Sequence, residues 1–290
     1  MRSTYDLVSI GVGWNQMFCV RTMSEHDVIL NTERPATVAS LAGDLQQLGV
    51  EVGMTLLVHS SLRSIGWVCG GTVAVVQSLQ QSIGEAGNLV MPTHSGELSD
   101  PAYWTNPAVP TNWWTTIRET MPAFDPAITG TRCMGQIVET FRRLPGAIRS
   151  RHPQHSFAAI GPQANKITSE HSYDYSLGEQ SPLGRLYDFD ASVLLLGVGF
   201  DSNTSLHLSE YRCAQSKPIE NGAPIMADGR RVWQKLHDIE LRSDDFERIG
   251  DAFQKESSTF RAATVGQATA MLMSQRELVD FGRRWMEVHR

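Results

Sequence analysis

The chain has 290 residues, enough for one large domain or two small ones, and its 41% apolar and 19% charged residues are those of a soluble globular protein. A formal charge of -6, with lysine and arginine never gathered into a long run, argues against nucleic acid and accommodates a cationic small molecule. No stretch reaches the roughly 20 apolar residues that span a bilayer, and Cys19, Cys69, Cys133 and Cys213 lie far apart without a C-x-x-C, which predicts reduced thiols in a cytoplasmic protein.

Residues 1–34 read as a poorly specified N-terminal extension. Leu7 to Trp14 is mildly apolar, but Asp6, Asn15 and Gln16 interrupt any signal-peptide core, and Met23 would serve equally well as a start. Residues 35–290 read as one domain. Thr37 caps a helix with Val38, Leu41, Ala42, Leu45 and Leu48 on one stripe, ended by Gly49 and Gly53. Thr55 to His59 is a buried strand, Thr72 to Ile83 a helix, and Asn88 to Met91 the next strand. Repetition of such units predicts an α/β fold with a largely parallel sheet covered by helices. From Pro92 to about Met134 the periodicity fails, and Pro101, Pro107, Pro110, Pro122 and Pro126 accompany Trp104, Trp113 and Trp114. So many aromatics argue against disorder and for an insertion that covers substrate. A helix at 135–143, a strand at 157–160, and helices at 162–170 and 182–188 follow. Ile225 to Lys235 reads as a hairpin around Asp228-Gly229, and helices at 244–257 and 274–288 close the chain, the second opening on the capping box Ser274-Gln-Arg-Glu277.

The segment Asn203 to Glu210 follows the apolar run Val193 to Leu196 and a Gly197-Val-Gly199 turn, so it reads as strand, loop, helix start. His207 then sits in the first turns, with Glu210 one turn on along the same face. The helix end favours neutral imidazole and the carboxylate favours imidazolium, a balance that suits a general base; an ordinary polar helix start is the bland alternative.

Other motifs are weaker. His59-Ser60-Ser61-Leu62-Arg63-Ser64, followed by Gly70-Gly71-Thr72, clusters hydroxyls and amides at a helix start and reads as an anion cradle, without the Gly-Lys-Ser/Thr of a Walker loop. Arg63-x-x-Gly66 matches only part of the pyrophosphate loop of the common N-acetyltransferase fold, since Val68 stands where glycine or alanine is wanted. Gly197-Val-Gly199 lacks the third glycine of a dinucleotide fingerprint, and no G-x-S-x-G supports a hydrolase at Ser60. His152 and His155 have near-metal spacing with no Cys, Asp or Glu close by, so no metal is expected. Acidic residues recur at Glu97, Asp100, Asp238 and Glu240; the last two share one face of a strand, where repulsion requires solvent or a cation.

In chain order, four segments resemble the aminoglycoside 3-N-acetyltransferases over residues 37–288. They are Val58-His-Ser-Ser-Leu62 with Gly70-Gly71; Pro122-x-Phe124-Asp125-Pro126 leading to Met134-Gly135; Pro145-Gly-Ala-x-Arg149-Ser150-x-His152-Pro153 with Ser156-Phe157; and Ser181-Pro182 with Leu195 to Gly199 and Thr204-x-x-His207-x-x-Glu210. The resemblance implies a three-layer α/β/α sandwich with a mixed sheet, distinct from the common N-acetyltransferase fold. It implies acetyl transfer from acetyl-CoA to the 3-amino group of a 2-deoxystreptamine ring, conferring antibiotic resistance, in a monomer or homodimer. His207 would be the general base and Glu210 its partner. The segment His59 to Ser64, with Gly71, Thr72, Ser150, His152 and Phe157, would bind CoA, and Glu97, Asp100, Thr204, Glu210, Asp238 and Glu240 would bind the aminoglycoside. Thr204 or Ser205 would face the thioester oxygen. The Trp-rich insert is where such enzymes vary, so the preferred antibiotic does not transfer; a non-antibiotic amine substrate, or a catalytically silent binding protein on this scaffold, are the alternatives.

Overall fold

The computed structural model describes residues 24–290, so the expectations for Leu7 to Trp14 and Cys19 lie outside the described residues. Among the described residues nine strands are present: β1 (Thr55–Ser60), β2 (Asn88–Pro92), β3 (Ile148–Arg149), β4 (Phe157–Ile160), β5 (Ser192–Leu196), β6 (Pro218–Ala227), β7 (Arg230–Ile239), β8 (Arg261–Val265) and β9 (Ala268–Ser274). Seven form one sheet in the order β3-β4-β2-β1-β5-β9-β8. Helices α1 (Glu25–Leu30), α2 (Val38–Leu48), α3 (Leu62–Ile65), α4 (Gly71–Ile83), α5 (Trp114–Thr120), α6 (Gly135–Phe141), α7 (Ala164–Thr168), α8 (Pro182–Asp188), α9 (Ser205–Tyr211), α10 (Phe246–Glu256) and α11 (Gln275–His289) complete the described elements.

The sheet is mixed, as expected, but not largely parallel. Only the central trio β2-β1-β5 is parallel, and the outer strands β4, β3, β9 and β8 all pair antiparallel. The reason is local connection: β8 and β9 are joined by the tight Gly266-Gln267 turn, which reverses direction, whereas β1 reaches β2 through α4.

Side chains alternate across the central strands and divide the core in two. Leu56, Val58, Leu89, Met91, Leu194 and Leu196 face α2, α4 and α6. Leu57, Val90, Val193 and Leu195 face the layer of α7, α8, α9, α10 and α11. Both faces are covered, so the central strands read as unbroken apolar runs, and the result is a three-layer sandwich. The hairpin β6-β7 stands apart as a second, two-stranded sheet. Its turn residues Asp228 and Gly229 have φ of 48° and 73°, the positive pair that a two-residue hairpin turn of matching twist requires.

Part of the expected extension joins the fold. Ser24 and Asp27 form a reciprocal cap on α1, Thr32 Oγ1 accepts the Trp67 amide at 2.8 Å, and Ala36 bridges Val68. At α11 the expected capping box is only half made. Ser274 accepts the Glu277 amide, but the Thr259 hydroxyl takes the Glu277 carboxylate and accepts the Ser274 amide. Among the described residues, no helix is long and apolar enough to cross a membrane.

Candidate active site

Three parallel strands end side by side, and ligands of open α/β sheets bind beyond such carboxyl ends. Among the described residues, buried polar atoms without a hydrogen-bond partner gather at and beyond these ends: Ser60 Oγ on the last residue of β1, both ring nitrogens of His94 after β2, and Asn203 Nδ2 and Ser205 Oγ after β5.

The loop after β5 is shaped by Gly197. Its φ is +71°, and a Cβ there would sit 2.4 Å from Ser64 Cβ, so only glycine lets the two turns meet. Ser64 Oγ donates to Gly197 O at 2.9 Å, and the Ser61 amide donates to Leu196 O. The chain then turns into α9, whose Leu206 and Leu208 anchor it in the core while His207 and Glu210 share its next face. His207 is 4% exposed and Glu210 1%. Nδ1 of His207 lies 2.5 Å from Glu210 Oε2, and the ring packs on Phe246 with centroids 4.7 Å apart.

The other carboxylate oxygen is held from distant parts of the chain. Glu210 Oε1 accepts Arg290 Nη1 at 2.5 Å and the Arg242 amide at 2.9 Å, and Arg290 binds Asp245 through Nε and Nη2 at 2.7 and 2.6 Å. The result is a partly buried chain, Asp245–Arg290–Glu210–His207, in which one guanidinium joins two carboxylates. Its outer members are separated from the dyad by up to 80 residues of sequence, and only the i, i+3 pair carries a local signal.

The remaining expected residues fall into distinct places. Ser61 and Ser64 belong to the turn into α3, and Gly71 and Thr72 open α4. Ser61 and Ser64 hydroxyls lie 3.0 Å apart, and Thr72 contacts Thr140 at 2.7 Å. Thr204 Oγ1 lies 3.4 Å from His59 Nε2, and burial, followed by the neighbouring His207, pushes His59 down to about 3. Arg149, Ser150, His152 and Phe157 are buried in internal bonds instead of lining an open groove. Arg149 ties Thr93, Ser95, Ser156 and Thr129 together, with its guanidinium pushed down to about 10 by burial and then Arg142. Ser150 Oγ bonds His171, and His152 accepts the amides of Gln154 and His155.

The acidic residues also part company. Glu97 lines a hollow with Trp104, Pro107 and Arg132, its Oε2 has no partner, and burial raises its pKa. Asp100 is occupied by Arg118 at 2.7 and 2.9 Å. Asp238 is buried rather than solvated; Ser176 Oγ donates to it at 2.6 Å and Tyr211 donates to its other oxygen. Glu240 lies past the end of β7, 3.9 Å from Lys217, so it does not share a strand face with Asp238. A larger hollow lined by Gln80, Gly84 and Gly161 lies at the amino end of β2, the end of the sheet away from the dyad. Cys69, Cys133 and Cys213 are free thiols.

Comparison with known proteins finds relatives over most of the chain. The profile described as aminoglycoside 3-N-acetyltransferase matches residues 57–287. The SPbeta prophage-derived aminoglycoside N(3')-acetyltransferase-like protein YokD of Bacillus subtilis is 49% identical over 259 residues, 89% of this chain and 95% of its own. Its crystal structure superposes with a TM-score of 0.90 and 48% identity, covering 91% of this chain and 98% of that one. Aminoglycoside N(3)-acetyltransferase VII of Streptomyces paromomycinus is 36% identical over 91% of this chain and 96% of its own. The structure of AAC-IIIb, solved as a binary complex with CoASH, matches at a TM-score of 0.79 and 28% identity, over 88% of this chain and 97% of that one.

Proposed function

The chain belongs to the aminoglycoside 3-N-acetyltransferase family, an acyltransferase family, and from that premise we propose that it transfers acetyl from acetyl-CoA to a ring amine of an aminoglycoside, with His207 as general base. The observation that carries the mechanism is the buried His207–Glu210 pair, 2.5 Å apart, beyond the carboxyl ends of the parallel strands.

With Nδ1–H donated to Glu210, the lone pair of His207 lies on Nε2. Aminoglycoside amines are largely ammonium at neutral pH, so one proton must leave before the nitrogen can attack, and Nε2 receives it. Glu210 stabilises the imidazolium so formed. Arg290 and the Arg242 amide bind the other oxygen of Glu210 and fix which oxygen faces the ring. Acetyl-CoA, when bound, supplies an acetyl thioester that the unprotonated amine can attack directly, with no acyl-enzyme. The residues suit that partner: we assign it to the amino end of α4 at Thr72 and to the Ser61–Ser64 turn, whose neighbour Ser60 keeps a buried hydroxyl without a hydrogen-bond partner among the described residues. Ser205 Oγ, buried without a partner in the first turn of α9, is the donor we assign to the thioester oxygen. Glu97, with an unsatisfied oxygen in its hollow, is the carboxylate assigned to a substrate ammonium. Dependence on acetyl-CoA assigns the enzyme to the cytoplasm.

Mixing the protein with acetyl-CoA and gentamicin, tobramycin, neomycin or apramycin, while following thiol release, tests this reading. Turnover with at least one is expected. CoA binding without turnover on any of them would redirect the reading to another amine.

A further inference from the structure

Imidazoles from four segments converge on one face of the sheet. His59 follows Leu57 by two residues in β1, and His94 continues the alternation from Val90 and Pro92 beyond β2. Both therefore rise on the face of Leu57 and Val90, the face that α9 covers. Pairing persists past the end of β2: the Thr93 amide donates to Ser156 O and the Ser95 amide to Gln154 O, both at 2.8 Å, which sets His94 opposite His155. The His94 ring meets His155 and Phe157 edge-on, each at 5.3 Å between centroids. His207 arrives from α9.

Three of the four rings have polar partners: Glu210 for His207, Ser176 Oγ at 2.6 Å for His155, and the more distant Thr204 hydroxyl for His59. His94 has none. It is 6% exposed, and neither ring nitrogen is hydrogen-bonded. Burial, followed by the His59 and His207 rings, holds it well below the usual imidazole range. A neutral imidazole offers one N–H and one lone pair, a combination matched by a group that both donates and accepts, such as a hydroxyl.

We propose that His94 is an acceptor-binding residue, its ring hydrogen-bonding a hydroxyl of the aminosugar beside the nitrogen that His207 deprotonates. The assignment rests on the acetyltransferase reading. Position favours the acceptor over CoA. His94 stands at the foot of the Trp-rich insert, its carbonyl takes the Arg132 amide where the insert returns, and Glu97 follows three residues on. The CoA cradle instead starts α4, which packs on the opposite face of the sheet.

The test compares His94→Phe, which keeps a ring for the edge-on contacts, with His94→Gln, which restores a donor and an acceptor. In His94→Phe the KM for the aminoglycoside rises about five- to tenfold, the size expected for one hydrogen bond, while the KM for acetyl-CoA stays within about twofold. His94→Gln recovers part of the loss. A purely structural role would instead lower the melting temperature and leave the acceptor KM unmoved, and that result overturns the assignment. Nitrogen NMR of the unsubstituted protein needs no variant to fold: the His94 ring signals shift on saturation with gentamicin and not with CoA, and unmoved signals overturn the proposal. Wild-type protein that acetylates no acceptor overturns the acetyltransferase reading and this one together. Active wild type with an unchanged His94→Phe overturns this one alone.

Discussion

Acidification will unfold this protein from the inside, because its buried imidazoles are wired to stay neutral. His152 is fully buried; its Nδ1 accepts the amides of Gln154 and His155 at 3.1 and 2.9 Å, and Nε2–H donates to Tyr173 O at 3.2 Å. A proton on Nδ1 would face two N–H groups. Burial, followed by His155, pushes His152 down to about 3, and His59 also sits at about 3 for the reasons given above. His171, whose ring lies 4.8 Å from that of His152, is also held well below the usual range by burial and by His152. These folded values lie below the unfolded value of 6.5, so above 6.5 neither state is protonated and the stability is fully present. Below it the unfolded chain takes up protons that the native state refuses, and stability falls until the folded values are reached. Each such histidine contributes a slope of about 1.4 kcal/mol per pH unit. At pH 5, His59 and His152 alone remove about 4 kcal/mol, a large share of the ~5–15 kcal/mol of a typical domain. Glu97 and Asp238, raised chiefly by burial, act in the opposite sense, so the measured slope is the imidazole contribution less theirs. Urea unfolding at pH 7.5, 6.5, 5.75 and 5 measures the slope. His152→Asn, whose amide oxygen can accept the same two N–H groups, should be less stable at pH 7.5 but show a shallower loss on acidification. A free energy of unfolding that is flat between pH 6.5 and 5 would refute the reasoning.

Further expectations concern the site. His207→Ala should lower kcat by ~10²–10⁴-fold in the thiol-release assay, and wild-type turnover in that variant would remove the general base. Arg290→Gln keeps a hydrogen-bond donor but removes a cation that shares one carboxylate with His207, through two contacts of 2.5 Å. A charge within about 7 Å at an effective dielectric near 20 is worth about 2 kcal/mol, so the acid-side midpoint of the kcat/KM profile should rise by about one and a half pH units. An unmoved profile would make Arg290 a packing residue. Gly197→Ala forces a Cβ onto Ser64 at positive φ; a stability loss of ~1–3 kcal/mol with weakened CoA binding by calorimetry is expected. Glu97→Gln should raise the acceptor KM and flatten its dependence on salt, and an unchanged salt response would remove Glu97 from the acceptor site.

Much of this protein was legible before folding was considered. The apolar stripe from Val38 to Leu48, the unbroken runs at Leu56–Val58 and Val193–Leu196, the Asp228-Gly229 turn and the one-turn spacing of His207 and Glu210 are all short-range signals, and each depends on backbone period or turn chemistry that neighbouring residues settle among themselves. Tertiary structure decided the rest. The strands β8 and β9 gave no clear alternation, and the direction in which outer strands pair depends on how the chain returns to the sheet. Asp238 looked like half of a solvated pair until Ser176 and Tyr211 were brought to it. Arg290 finds Glu210 across 80 residues, and the four imidazoles meet only because separate elements end or start on one face of the sheet. A sequence specifies which groups exist and their local periods. Distances between groups far apart in the chain are set by packing, and it is those distances that decide which carboxylates are neutralised and which ring nitrogens are left for a ligand.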